Sequence, residues 1–275
     1  MNTILEEIID ERLLKSLSRK SKYIYRKTTR EKKKFGKAQL NEDGSIRYRD
    51  TQEPCLELKN LQQKINRFLQ TFPLPNVMYG SIRGKDNIRH AAAHSAGSHF
   101  FMVDLKNYFS NISNTQVHKT LLSLGFSMSN ARIITRLTTF DGHLPQGAPT
   151  SPTLANLVFA KTATELSHYC KSKEIVFTNY VDDLVFSANM NFKEFIPEIL
   201  ALIKQNGFFL NHKKIRYRRR YGEVTGLFVK GGLLHLKKEM NDNIGNPGIK
   251  NYAERVDDYN EKLKRNVKVE NTSIR

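Results

Sequence analysis

Three carboxylates carry the first chemical signal in this chain. Asp182 and Asp183 stand side by side in Ile175-Val-Phe-Thr-Asn-Tyr-Val-Asp-Asp-Leu-Val-Phe-Ser187, and Asp104 ends His99-Phe-Phe-Met-Val-Asp104. Both runs are rich in β-branched and aromatic residues and read as strands. The Asp pair is expected at the tight turn between two of them. Adjacent like charges repel, and a hard divalent cation removes that cost by taking carboxylate oxygens directly. The plain reading of the pair alone is an exposed Asp-Asp turn, and that of Asp104 alone a polar strand end. Read together they suggest more, because adjacent strands can bring Asp104 to a pair 78 residues away. Such a cluster can hold two metal ions ~4 Å apart, which clamp the attacking and leaving oxygens of a phosphoryl transfer.

The surroundings narrow the substrate. The 275 residues hold 45 Lys+Arg against 27 Asp+Glu, a net charge of +18. A charge that large attracts polyanions, and nucleic acid is the usual one. An anionic membrane surface competes as a reading, but no lipidation motif or amphipathic anchor supports it. From Arg12 to Lys37 there are twelve basic residues and one acid, Glu31, with Tyr23, Tyr25 and Phe35 interleaved. Cations for phosphates and rings for stacking make a nucleic-acid groove; a solvated basic segment is the alternative. From Lys204 to Arg220 seven more basic residues stand with no acid.

Composition excludes other classes. At 39% apolar and 26% charged, the chain is expected to be a folded soluble protein. No apolar run approaches the ~18 residues of a membrane span. The N-terminal residues carry acid where a signal peptide carries base, and Cys55 and Cys170 stand far apart. Together these point to a reducing, cytoplasmic setting without a disulfide framework.

The elements that must position the carboxylates follow from periodicity. Amphipathic helices are expected over residues 3–20, 56–69, 87–98, 114–139 (punctuated by Gly125), 152–171, 193–205 and 249–267. Asp43-Gly44 signals a hairpin turn, with Arg47-Tyr-Arg49 on the returning strand. Leu144-Pro-Gln-Gly-Ala-Pro-Thr-Ser-Pro152 is a rigid loop that ends in a helix start. Gly207 suits a helix C-cap. Residues 208–214 read as a strand or loop, and 224–229 with 233–236 as a hairpin around Gly231-Gly232. His90 and His94 lie one turn apart; they could bind zinc, but packing or backbone hydrogen bonding is the stronger reading.

In this order the motifs resemble a reverse transcriptase palm: Phe101-Met-Val-Asp104 with Phe109-Ser110, the Pro-Gln-Gly loop, Tyr180-Val-Asp-Asp183, then Gly207, Leu210-Asn211 and Lys214. The resemblance covers about residues 40–230 and is nearest to bacterial retron enzymes. Val224-Thr225-Gly226 matches their Val-Thr-Gly signature. His90-Ala91 and His94 fall where they carry Asn-Ala-x-x-His, with His90 in place of the Asn. The palm box is Tyr-Val-Asp-Asp where many have Tyr-Ala-Asp-Asp.

The resemblance implies an α+β right-hand polymerase with fingers, palm and short thumb, its antiparallel palm sheet carrying the Asp triad. Residues 1–98 would be N-terminal helix and fingers, 99–230 palm with finger helices inserted at about 112–143, and 231–275 the thumb-like segment. Asp104, Asp182 and Asp183 would ligate two Mg²⁺ ions. Phe109 would be the steric gate against a ribose 2′-hydroxyl, or simple core. Gln146 would contact the incoming dNTP, and Arg47 and Arg49 its phosphates, solvated strand charge being the alternative. Lys214, in competition with Lys213, would protonate or stabilise pyrophosphate. Val224, Thr225, Gly226 and His94 would face the RNA template-primer. A retron enzyme copies a structured noncoding RNA into branched, RNA-linked single-stranded DNA, primes from a 2′-hydroxyl, and acts in antiphage defence with a separate effector protein. Other readings are a group II intron-like, diversity-generating or abortive-infection reverse transcriptase, or a catalytically idle RNA-binding module.

Overall fold

The computed structural model describes residues 25–34, 37–41 and 43–273. The helix expected over residues 3–20, and Tyr23 and Phe35 of the basic stretch, lie outside them. In chain order the elements are β1 (Tyr25–Glu31), β2 (Lys33–Lys34), β3 (Lys37–Ala38), β4 (Tyr48–Pro54), α1 (Leu56–Leu69), α2 (Asn87–Ala92), β5 (His99–Asp104), α3 (Tyr108–Asn111), α4 (Asn114–Ser123), α5 (Met128–Thr138) and α6 (Ser151–Lys171). They continue with β6 (Val176–Tyr180), β7 (Asp183–Ala188), α7 (Ile196–Gln205), β8 (Arg216–Arg219), β9 (Tyr221–Val224), β10 (Leu227–Lys230), β11 (Leu233–Leu236), α8 (Lys238–Asn241) and α9 (Pro247–Ser273). The chain divides into two compact units, residues 1–73 with 107–158 and residues 74–106 with 159–275.

In the first unit β1 and β4 form an antiparallel ribbon, from Tyr25↔Pro54 to Glu31↔Tyr48. The ribbon is polar, and hydroxyl pairing helps to hold it: Thr28 and Thr51 meet at 2.8 Å. The expected turn is present, Gly44 taking a φ of +80° and the Asp43 carboxylate accepting from the Ser45 backbone N–H at 2.9 Å. Helix α1 buries Leu58, Leu61, Ile65 and Leu69, while Phe68, expected on the same face, is half-buried. The helical stretch 114–139 is two helices. A capping box between Ser113 and Gln116 starts α4, and Ser127 caps α5.

The second unit is built on an antiparallel sheet of order β6-β7-β5-β8. Residues alternate across it, so Phe100 and Met102 of β5 face one way and Phe101 the other. On the first face Phe100 and Val185 pack with Ile88 and Ala91 of α2, Val224, Leu227, Val229 and Leu234 of a second sheet, and Val256 of α9. That second sheet has order β11-β10-β9. On the other face Phe177 stacks on Phe186 at 4.9 Å, and Phe186 meets Phe101 at 5.6 Å. Each fully buried Phe contributes about 1.5–3 kcal/mol, so this aromatic layer fixes where β5 and β7 lie.

Three expectations are corrected. The helix expected over 87–98 stops at Ala92, because the chain must then pass close to β7: a Cβ on Gly97 would lie 2.8 Å from the Ser187 Cβ. Residues 224–229 are not one strand, since Thr225 (φ +41°) and Gly226 (φ +93°) turn the chain between β9 and β10. Two positive φ values suit the tight two-residue hairpin. The basic stretch 204–220 contains an unforeseen edge strand, β8, paired with β5 from Met102↔Arg216 to His99↔Arg219. No helix among the described residues is long and apolar enough to cross a membrane.

Candidate active site

Sheet register brings the carboxylates together. Asp104 is the last residue of β5 and Asp183 the first of β7, and the two are direct cross-strand partners. Tyr180 pairs with Asp183, leaving Val181 and Asp182 as a two-residue turn. The expected turn therefore holds Asp182 alone, while Asp183 opens the strand. Val181 takes a φ of +58°, a left-handed conformation rare for a β-branched residue and characteristic of functional sites. The turn is tied to the neighbouring strand, the Leu105 N–H donating to the Asp182 carbonyl at 2.9 Å.

Asp104 is almost wholly buried, and both of its carboxylate oxygens are engaged. Asn211 donates through Nδ2 to Oδ1 at 3.0 Å, and Lys214 through Nζ to Oδ2 at 2.6 Å. The 3₁₀ turn His212–Lys214 sets Lys214 there, since the Asn211 N–H donates to the Asp104 carbonyl at 2.9 Å. Burial pushes the Asp183 carboxyl up to about 7, with the Asp182 and Asp104 charges adding to it and Lys214 opposing. Lys214 loses some hydration, which works against its charge. Its bond to Asp104 and the nearby Asp183 and Asp182 outweigh that and hold its pKa above the ordinary value.

Asp104 and Asp183 open onto a cavity of about 490 Å³ whose further walls include Lys214, Arg216, Arg218, Tyr221, Glu223 and Thr225. Carboxylates and guanidinium groups in one cavity suit a ligand that carries both a metal ion and phosphate groups. Among the described residues, no three His, Cys, Asp or Glu side chains are grouped closely enough to hold a metal ion by themselves. The donor set nevertheless fits a hard divalent ion. It is all oxygen, it repels itself, and such ions are commonly held by one or two carboxylates with substrate phosphates completing the shell.

The two histidines do other work. His94 is fully buried, its ring nitrogens 2.7 Å from the Ser187 hydroxyl and 2.6 Å from that of Thr178. It pins β6 to β7, and it has no surface through which to touch RNA directly. His90 is also fully buried, 3.1 Å from the Thr225 hydroxyl. The pair is packed as expected, but its hydrogen bonds run to the side-chain hydroxyls of Thr225, Ser187 and Thr178 rather than to backbone.

The comparisons now bear on this geometry. The family model described as reverse transcriptase (RNA-dependent DNA polymerase) matches residues 32–238. This chain belongs to the reverse transcriptase family. Its curated relatives include the retron Ec86 reverse transcriptase of Escherichia coli, 29% identical over 66% of this chain and 59% of that one. The retron Se72 reverse transcriptase of Salmonella heidelberg is 28% identical over 68% of this chain and 52% of its own. The expected resemblance to retron enzymes is borne out. The chain spans between about half and three-fifths of the length of these two relatives. A solved structure of telomerase from Candida albicans with a telomeric RNA fragment aligns at a TM-score of 0.54 and 12% identity, covering 82% of this chain and 49% of that one. That likeness is of fold, and it supports the right-hand polymerase architecture.

The remaining expected residues lie in the first unit. Phe109 is half-buried in α3, 5.6 Å from the Tyr108 ring. Gln146 is tied to β4, its N–H donating to the Gln52 side chain at 2.9 Å and its carbonyl accepting from the Gln52 N–H at 2.7 Å. Arg47 and Arg49 are exposed, and Arg49 lies directly across the ribbon from Arg30. Asp104, Asp182, Asp183 and Lys214 share the second unit with Val224, Thr225, Gly226 and His94. Asn211 was missed as a partner of Asp104, although it stands in the quoted Leu210-Asn211 motif. Arg216 and Arg218 were seen only as charge, because nothing in four polar residues announces a strand.

Proposed function

We propose that this chain is an RNA-directed DNA polymerase of retron type. The observation that carries the reading is the cross-strand pairing of Asp104 with Asp183, with Asp182 in the adjoining turn. Mg²⁺ is the proposed metal, held as two ions by Asp104, Asp182 and Asp183, and it would supply a lowered pKa for the attacking hydroxyl and charge neutralisation for the leaving pyrophosphate. The chain's own residues do the rest. Lys214 stands ready to donate a proton or a hydrogen bond to the leaving phosphate. Arg47 and Arg49 hold the phosphates of the incoming dNTP, Gln146 contacts the nucleotide, and Phe109 closes the space a 2′-hydroxyl would need. The β9–β10 turn, Thr225-Gly226, faces the RNA template-primer; Val224, expected there too, is buried in the core beneath it, and His94 acts from below by fixing β6 and β7.

The partner is a structured noncoding RNA and its DNA product. The +18 net charge supports it, as does the arginine-lined cavity. Branched priming from a 2′-hydroxyl, a role in antiphage defence, a separate effector protein and a cytoplasmic location rest on the retron likeness, as do the fingers, palm and thumb boundaries at residues 98 and 230.

The test is direct. Purified protein is supplied with the RNA encoded beside its gene, Mg²⁺ and dNTPs, and the products are sequenced. cDNA that disappears in Asp182→Asn supports the reading, and a branched RNA–DNA hybrid supports the retron type. DNA synthesis that survives Asp182→Asn overturns the role of the dyad.

A further inference from the structure

His90 stands where the β9–β10 turn, α2 and the Asp-Asp hairpin meet. The Thr225 hydroxyl lies 3.4 Å from the Asn87 carbonyl and donates to it. One tautomer satisfies both contacts at once: His90 Nδ1–H donates in the bond at 3.1 Å, and Nε2 carries the lone pair. Nε2 has no hydrogen-bond partner among the described residues, and this tautomer leaves it an unprotonated nitrogen rather than a buried N–H. Burial pulls the imidazole down to about 3, so the ring is neutral.

The same ring packs against two tyrosines, its centroid 5.2 Å from that of Tyr79 and 5.6 Å from that of Tyr180. Tyr180 is the cross-strand partner of Asp183. One imidazole thus touches the β9–β10 turn with its edge and the catalytic hairpin with its face. Asn87 completes the grip, donating through Nδ2 to the Thr225 carbonyl at 3.0 Å and to the Tyr252 hydroxyl at 2.6 Å.

Both turns joined in this way carry a β-branched residue in the left-handed region, Thr225 at φ +41° and Val181 at +58°. Such conformations persist only where the surroundings over-determine them. Here α2 binds the Thr225 hydroxyl and carbonyl together. Thr225 and Gly226 also line the cavity that holds Asp104 and Asp183, so a strand seated in that cavity bears on the turn His90 holds.

We infer that His90 is a positioning residue, which couples the placement of the Thr225-Gly226 turn to Tyr180 and hence to the Asp183 carboxylate. The coupling serves nucleotide addition and so rests on the polymerase reading above. The link between the two turns is a property of the fold and can be measured without any DNA synthesis.

The experiment uses the 275-residue chain with His90→Ala, His90→Asn, Thr225→Val and Thr225→Ser, and the double variant His90→Ala with Thr225→Val. The first readout is amide hydrogen exchange at residues 180–184. The second is single-nucleotide incorporation on an annealed RNA template and DNA primer, with kcat and KM for dNTP separated. His90→Ala and Thr225→Val should each speed exchange at the hairpin about tenfold and lower kcat by about as much, with KM changed less than about threefold, and the double variant should be no worse than either single. Thr225→Ser keeps the hydroxyl and should leave amide exchange at residues 180–184 at the wild-type rate. His90→Asn keeps a donor but loses the ring contact with Tyr180, and should recover part of the loss. If His90→Ala fails to fold, the Thr225→Val and Thr225→Ser pair decides the matter. Exchange at the hairpin that ignores Thr225→Val, or losses that simply add, overturns the coupling. Wild-type protein that makes no DNA while the exchange pattern holds sinks the polymerase reading and leaves the coupling standing.

Discussion

Gly80 and Val181 meet backbone to backbone, and a Cβ built on Gly80 would strike the Val181 nitrogen and lie 2.5 Å from its Cγ2. The segment that brings Gly80 there is itself fixed. Tyr79 donates its N–H to the Asn179 carbonyl at 2.8 Å, and Asn179 donates to the Val77 carbonyl at 2.9 Å. Lys85 Nζ donates to the Asn76 and Met78 carbonyls at 2.6 and 2.8 Å. The Val181-Asp182 turn therefore rests on a braced backbone that leaves no room for a side chain.

Gly80→Ala should displace that turn. Overpacking of this kind costs about 1–3 kcal/mol, which the fold can bear, while the carboxylates lose their alignment. Thermal melting should show a folded protein, nucleic-acid affinity should hold, and primer extension should fall at least about tenfold. Wild-type extension by this variant would show that the turn can shift without loss.

Asp183 predicts a pH dependence of stability without divalent ions. The unfolded carboxyl ionises near its ordinary value of 3.8, and burial pushes the folded one up to about 7. Between these values unfolding releases a proton, so stability falls as the pH rises from about 4 to about 7 and then levels. Asp183→Asn should remove that slope: in EDTA it should be the more stable protein at pH 8, by about 1–3 kcal/mol, and near wild type at pH 4. Added Mg²⁺ should raise the melting temperature of wild type at pH 8 and that of the variant much less.

Lys214 opposes the rise of the Asp183 pKa, so Lys214→Gln should push that pKa higher. The acid limb of the pH–rate profile should then move to higher pH, and incorporation at the optimum should drop about ten- to a hundredfold. Lys214→Arg, which keeps the charge, should leave the limb in place. A limb that does not move in Lys214→Gln would separate Lys214 from the carboxylates.

On the proposed role of Phe109 as the gate against a 2′-hydroxyl, Phe109→Ala should open the space beside the sugar. Discrimination against ribonucleotides should fall by roughly ten- to a hundredfold, read as the ratio of kcat/KM for a dNTP and its rNTP. An unchanged ratio would return Phe109 to the core.

What was legible in the sequence follows from burial. Strands β5 and β7 announce themselves because both of their faces are buried, so apolar residues run from Phe100 to Val103 before Asp104 and from Leu184 to Phe186 after Asp183. Helix α1 reads clearly from its leucine stripe. The Asp104–Asp183 pairing was legible only as a possibility, because register depends on strands far apart in sequence. The polar ribbon of β1 with β4, and β8 above all, carry little apolar alternation, so pairing partners alone make them strands. The Thr225-Gly226 turn was hidden because Val224 and Leu227 on either side continue a strand-like composition across it. The burial of His94 and the link from His90 to Tyr180 depend on how α2 packs on the sheet, which periodicity over six residues cannot reveal.

The basic edge strand β8 has a further consequence. A sheet edge presents unpaired N–H and C=O groups, a template on which a second copy can add. Arg216, Arg218 and Arg219 line that rim of the sheet carrying the carboxylates. Two such rims brought edge to edge would set guanidinium groups against each other, a repulsion that pairing backbones would have to overcome. The arginines would therefore oppose edge-to-edge pairing at the open side of the sheet that carries Asp104 and Asp183.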